Sequence, residues 1–150
     1  MAQRILVPLD GSPLAELALP EALELSKLPD SMVILLHVVA PIDDVISNGH
    51  VISIDQQWEH RRVQALRYLR SICSRHEWQH ANVHTEVEMG RTAEVILDFA
   101  RKHNIDRIVM STHGRTGVNR WVYGSVADKV LRGADRTVVL VRAGTPKAGA

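Results

Sequence analysis

The sequence predicts an α/β protein in layers, with helices packed on a largely parallel sheet and a ligand crevice at the carboxyl ends of the strands. Three observations lead there. Five strand-like segments, at residues 4–9, 32–39, 83–88, 107–110 and 137–141, alternate with four segments of helical spacing, the order that generates right-handed crossovers. The run from Met32 to Val39 is apolar except at His37, as expected of a strand covered on both faces. Asp10, Val38 and the Ser111 segment all follow such strand ends, and sheets of this class bind ligands just outside them.

Arg4 to Leu9 forms the first strand and stops at Asp10-Gly11-Ser12-Pro13, where Ser12 can cap a helix and Pro13 suits its first turn. From Leu14 to Leu28 the residues Leu14, Leu17, Ala18, Ala22 and Leu25 recur at helical spacing. Pro20 lacks an amide donor and should bend this helix, and Pro29-Asp30 should stop it. After the second strand, Pro41, Asp43-Asp44 and Ser47-Asn48-Gly49 predict a long irregular loop over residues 41–54.

Helical spacing resumes from Asp55 to Glu77 through Trp58, Val63, Leu66, Leu69, Ile72 and Cys73. Val83 to Glu88 alternates with period two, the pattern of a half-exposed or edge strand. Gly90 turns the chain into an amphipathic helix, Thr92 to His103, with Val95, Ile96 and Phe99 inward. Arg107 to Met110 begins another buried strand. Ser125 to Leu131 gives the last helix, ended by Gly133, and Thr137 to Val141 the last strand. The tail over residues 143–150 is expected to be flexible.

Composition narrows the class. A chain of 150 residues fits one domain with a real core, 1–150. Its formal charge of +1, with 45% apolar and 23% charged residues, gives no general electrostatic case for nucleic acid. The single cysteine, Cys73, cannot form an intramolecular disulfide, which suits a reducing compartment. The first nine residues hold too short an apolar run for a signal peptide, and no stretch approaches the ~20 apolar residues of a membrane helix. The expected location is the cytoplasm, without a membrane partner.

The chemistry concentrates in Ser111-Thr112-His113-Gly114 and Gly124-Ser125, whose glycines flank a nine-residue excursion. Glycines let backbone approach a ligand closely, and Ser125 is expected to open and cap a helix whose first amides lack partners. An anion can satisfy those donors. The segment carries neither Gly-x-Gly-x-x-Gly nor Gly-x4-Gly-Lys-Ser/Thr, so a nucleotide here would be held in another way.

Together these residues resemble the universal stress protein family over roughly residues 3–142. Ile5-Leu6-Val7-Pro8-Leu9-Asp10-Gly11-Ser12 looks like its opening strand and turn, and Leu35-Leu36-His37-Val38 like the end of its second strand. Val109 to Gly117 with Tyr123-Gly124-Ser125-Val126 is similar to its nucleotide loop, Gly-x2-Gly-x9-Gly-Ser/Thr. Ser111 stands where the first glycine would be, and Gly114, Gly124 and Ser125 match the rest.

The resemblance implies a three-layer, Rossmann-like α/β/α fold with a five-stranded parallel sheet. It implies ATP as ligand, accompanied by Mg or Mn. Pro8, Leu9, Asp10 and Val38 would border adenine, and Met110 and Ser111 would face base and ribose. Gly114, Gly124, Ser125 and Val126 would meet the phosphates, and Arg115 could neutralise their charge. It further implies a homodimer formed through the last strand, residues 137–141.

Several residues carry a second reading. Asp10 could orient adenine or help hold a metal, or simply accept local amide bonds in its turn. His113 is a phosphate partner or a solvated loop residue, and Trp121 and Tyr123 fill a lid or interface in preference to stacking on a base. His37 reads as a satisfied core histidine. His76-Glu77-Trp78-Gln79-His80 spells a zinc-protease motif, but His80 falls where helix should give way to strand, so no metal site is expected. The expected function is an ATP-binding stress-response module in which nucleotide occupancy orders residues 111–125. The alternatives are a slow ATPase or phosphotransferase using the same site, and a nucleotide-free dimer.

Overall fold

The computed structural model describes residues 2–41, 45–47, 50–52, 54–112 and 124–142. Its strands are β1 Arg4–Pro8, β2 Met32–Val39, β3 Val45–Ser47, β4 His50–Ile52, β5 Val83–Met89, β6 Arg107–Thr112 and β7 Thr137–Arg142. The helices are α1 Pro13–Glu16, α2 Leu19–Ser26, α3 Ile54–Cys73, α4 Thr92–Lys102 and α5 Ser125–Gly133.

Five strands form one parallel sheet in the order β5-β2-β1-β6-β7, with Val7 opposite Leu35, Ile5 opposite Arg107 and Val109 opposite Val139. Strand periodicity then divides the core into two. Leu6, Ile34, Leu36, Ile108 and Met110 face α4 and α5, where Ile96, Phe99 and Val130 meet them. Ile5, Val7, Val33, Leu35 and Val109 face the other way, against Ala18, Leu19, Leu69 and Ile72. Three layers result, in keeping with the α/β/α expectation. The pattern in β5, Val83, Thr85 and Val87 half-buried between exposed neighbours, fits its place at the sheet edge.

Local differences from the sequence reading have physical causes. The predicted helix over residues 14–28 is two helices, α1 and α2, with Leu17 and Ala18 between them. Pro20 has no N–H for the Glu16 carbonyl and its ring would crowd it, so the chain breaks before the proline and restarts with Pro20 in the first turn of α2. Within the predicted loop of residues 41–54, β3 and β4 pair antiparallel, Val45 with Ile52 and Ile46 with Val51. Two β-branched dipeptides flank Asn48-Gly49 in the sequence, a hairpin pattern that outweighs the turn composition around it.

The third helix starts at Ile54 and ends at Cys73, four residues before the predicted Glu77. A 3-10 turn, His76–Trp78, follows and buries Trp78 against the α2 and α3 side of the sheet. His76 and His80 therefore do not share one face of an α-helix. At the end of α5, Gly133 lies inside the helix instead of beyond it. A Cβ there would lie 2.7 Å from Leu97 Cδ1, so the glycine serves the close approach of α5 to α4. The expected flexible tail, residues 143–150, lies outside the described residues.

Candidate functional site

β2 and β5 lie on one side of β1, and β6 and β7 on the other. The chain thus reverses its direction of winding between β1 and β6, and the strand ends part there to leave a crevice of about 260 Å³. Its inner part is apolar. Leu36 and Val38 of β2, Ile96 of α4, Met110 of β6 and Ala127 of α5 line it and belong to one core cluster. Its rim is polar or backbone-rich, with Asp10, Ser12 and Ser111 on one side and Gly124 and Ser125 at the start of α5.

The turn after β1 is built by local hydrogen bonds. Asp10 Oδ1 accepts from the Ser12 amide at 2.9 Å and from the Ser12 hydroxyl at 2.5 Å. Ser12 Oγ in turn accepts from the Ala15 amide at 3.2 Å, capping α1 as its sequence position predicts. Gly11 between them adopts φ +87°, a conformation that an L side chain strains to reach. The local reading of Asp10 is thus present in the structure, and the same residue lines the crevice.

Short as it is, α1 buries none of its residues and depends on polar ties. The Ser111 hydroxyl donates to the Leu14 carbonyl at 2.5 Å, joining β6 to α1. From α3, the Tyr68 hydroxyl donates to Glu16 Oε2 at 3.0 Å, and the Arg75 guanidinium, just beyond that helix, meets Oε1 at 2.7 Å. Burial and the bond to Glu16 push the Tyr68 hydroxyl pKa well above its usual value. Leu14 and Ala15 are thereby held as one wall of the crevice.

Behind this wall, His37 points to the face opposite Val38. It hydrogen-bonds the Asp10 backbone and meets the Tyr68 ring edge-on, with centroids 6.2 Å apart. The expected satisfied core histidine is only half satisfied, because Nδ1 is buried with no hydrogen-bond partner among the described residues. Burial pulls its pKa below 6.5, against the opposing pull of the Asp10 charge. His37 is therefore neutral at pH 7.

Nine residues singled out from the sequence line this crevice: Pro8, Leu9, Asp10, Val38, Met110, Ser111, Gly124, Ser125 and Val126. Gly114 and Arg115 lie outside the described residues, as do His113, Trp121 and Tyr123. One local expectation needs correction. Gly124, at φ −24° and ψ 158°, is the cap of α5, and Ser125 is its first helical residue. An N-cap ordinarily has non-helical dihedrals, as Gly124 does, while Ser125 already belongs to the helix.

The sequence reading missed Leu36, Ile96 and Ala127, which look like ordinary core positions, and Leu14, Ala15 and Thr92, which begin helices. Leu36 shares a strand face with Val38, so period two was the available signal. Among the described residues no group of three or more histidine, cysteine or acidic side chains could hold a metal ion, and no helix is long and apolar enough to cross a membrane. Asp10 is the one carboxylate on the described crevice wall.

Comparison with known proteins matches this architecture. The sequence profile of the universal stress protein family fits residues 1–142. A universal stress protein of Methanocaldococcus jannaschii, MJ0531, is 32% identical over 142 residues, covering 93% of this chain and 82% of that protein. Among solved structures, MJ0577 of the same archaeon superposes with a TM-score of 0.76 at 24% identity, over 96% of this chain and 98% of that one.

Two further structures were solved with adenine nucleotides. A universal stress protein in complex with cAMP gives a TM-score of 0.66 at 19% identity, covering 93% and 95% of the two chains. One from Arabidopsis thaliana with AMP bound gives 0.59 at 18% identity, covering 97% of each. With a profile match from residue 1 to 142 and an archaeal relative at 32% identity, the chain belongs to the universal stress protein family.

Proposed function

We propose that the crevice binds an adenine nucleotide, ATP with Mg²⁺ or Mn²⁺, and that the chain is a single-domain, nucleotide-responsive stress module of the cytoplasm. The observation that carries this reading is the joining of two chemistries in one crevice. The apolar chamber of Leu36, Val38, Ile96, Met110 and Ala127 suits the faces of a base, and the start of α5 at Gly124 and Ser125 offers amide donors to phosphates. Relatives that hold AMP and cAMP support the ligand class. Asp10 fits the divalent ion, since Mg²⁺ commonly takes one or two protein carboxylates and completes its shell with phosphates and water.

Phosphates held by Gly124, Ser125 and Val126 on one side and by Gly114 and Arg115 on the other would favour one arrangement of residues 111–125. The shift equals the difference in nucleotide affinity between arrangements. The half-exposed edge strand β7 supplies a surface for a homodimer, since four consecutive residues, Val138 to Val141, are only partly covered.

Titration calorimetry of the purified chain with ATP, ADP, AMP and cAMP, with and without Mg²⁺, tests the ligand. Saturable binding of ATP strengthened by the metal is expected. No binding of any of the four at millimolar concentration overturns the reading. Light scattering at twice the chain mass is expected for the dimer, and a monomer at all concentrations removes that part.

A further inference from the structure

A single turn of helix does not hold itself in water, because so few backbone bonds cannot offset the cost of its nucleation. The four residues of α1 bury none of their side chains, yet Leu14 and Ala15 line the crevice. The segment that carries them, residues 10–16, begins at the Gly11 turn with φ +87° and ends where the chain breaks ahead of Pro20. This wall is therefore fixed from outside itself.

One residue of α3 reaches both of its ends. Ala65, Leu69 and Ile72 are the buried stripe of that helix, and Tyr68, three residues after Ala65, lies half-buried on its flank. The Tyr68 hydroxyl donates to Glu16 Oε2 at 3.0 Å, at the far end of the wall. Its ring meets His37 edge-on, and His37 hydrogen-bonds the Asp10 backbone at the near end. The Arg75 guanidinium occupies Glu16 Oε1 at 2.7 Å, so both carboxylate oxygens are held. Tyr68 itself stands behind the wall and lines no part of the described crevice.

We infer that Tyr68 is a positioning residue for ligand binding: gripping residues 10–16 from behind at both ends, it holds the α1 wall in the arrangement that closes on the ligand. The inference rests on the adenine-nucleotide reading for the identity of that ligand. A wall latched for only part of the time binds in proportion to its latched fraction. The bond from Ser111 to the Leu14 carbonyl ties the middle of the wall to β6, so loss of the Tyr68 hydroxyl loosens the wall without detaching it.

The test combines hydrogen exchange with titration of ATP and Mg²⁺ into the wild-type chain, Tyr68→Phe, Glu16→Ala and the double variant. Tyr68→Phe keeps the ring and removes only the hydroxyl. Exchange over residues 10–18 should quicken in it while β1 and β6 keep wild-type rates, and ATP affinity should weaken about three- to tenfold, the equivalent of one hydrogen bond. The double variant should bind no more weakly than Glu16→Ala, since the hydroxyl acts through that carboxylate. Ile72→Ala, on the same helix and costly to stability, should keep wild-type affinity, which separates positioning from stability. Unchanged affinity in Tyr68→Phe, or a double variant that loses the sum of the two single losses, overturns the assignment and leaves the adenine reading standing. If the wild-type chain binds no adenine nucleotide, that reading fails, and exchange over residues 10–18 decides the grip alone: wild-type rates in Tyr68→Phe overturn it and faster rates uphold it.

Discussion

Ile96 and Ile72 are both fully buried, at 0% exposure, yet they lie on opposite faces of the sheet and only Ile96 lines the crevice. Replacing each by alanine separates stability from binding. The change removes three carbons, or about 2.4 kcal/mol at ~0.8 kcal/mol per buried methylene, and a persistent cavity raises the loss to ~2–5 kcal/mol. Ile72→Ala leaves a sealed void and should fall in the upper part of that range. Ile96→Ala opens onto the crevice, where water can enter, and should stay nearer ~2–3 kcal/mol.

For a chain of 150 residues, ~2–4 °C of Tm per kcal/mol turns the Ile96→Ala loss into a drop of roughly 5–10 °C, with a larger one for Ile72→Ala. Binding should follow the reverse order. Ile96→Ala removes part of the wall proposed for the base and should weaken ATP about fivefold, equivalent to ~1 kcal/mol, while Ile72→Ala leaves Kd unchanged. Calorimetric melts and ATP titrations at 15 °C, below both transitions, provide the data. Equal weakening in the two variants, or an unchanged Kd in Ile96→Ala, refutes the placement of the base in the apolar chamber.

Two further predictions concern the wall of the crevice. The native pKa of His37 is lowered below 6.5, so the unfolded chain binds more protons in the window between the native value and 6.5. Stability should therefore fall as pH drops through that window, and urea midpoints for His37→Gln should fall less steeply than wild type; parallel slopes would sink the assignment. Gly11→Ala places a Cβ in open space but at φ +87°, so the cost is backbone strain alone, about 1 kcal/mol. A Tm decrease of ~2–4 °C with intact secondary structure is expected, and no decrease would show the turn to be looser than its dihedral indicates.

The layer order and the crevice were legible because each rests on local pattern. Period two in β5, an almost unbroken apolar β2 and turn residues after β1 each constrain one element, and together they converge on one crevice. What escaped lies in competition between signals. Pro20 was visible, but whether it bends or splits a helix depends on where the Glu16 carbonyl can go. Ser125 and Gly124 are both good caps, and only dihedrals distinguish them. The commitment of the Ser111 proton to Leu14 spans 97 residues of sequence, and no local rule reports it.

The start of α5 can be restated as a matter of helix stability. A capping side chain, such as Ser12 on α1, accepts from the first amides and contributes ~1 kcal/mol. Here the cap position is Gly124, which has no side chain to accept with. The cap position itself makes no side-chain bond to the first turn of α5, and a bound phosphate would accept from those amides. On that account nucleotide would stiffen α5 from its first turn toward Gly133, where the helix lies against Leu97 of α4. Occupancy at one end of α5 would then be felt at the other through helix propagation alone.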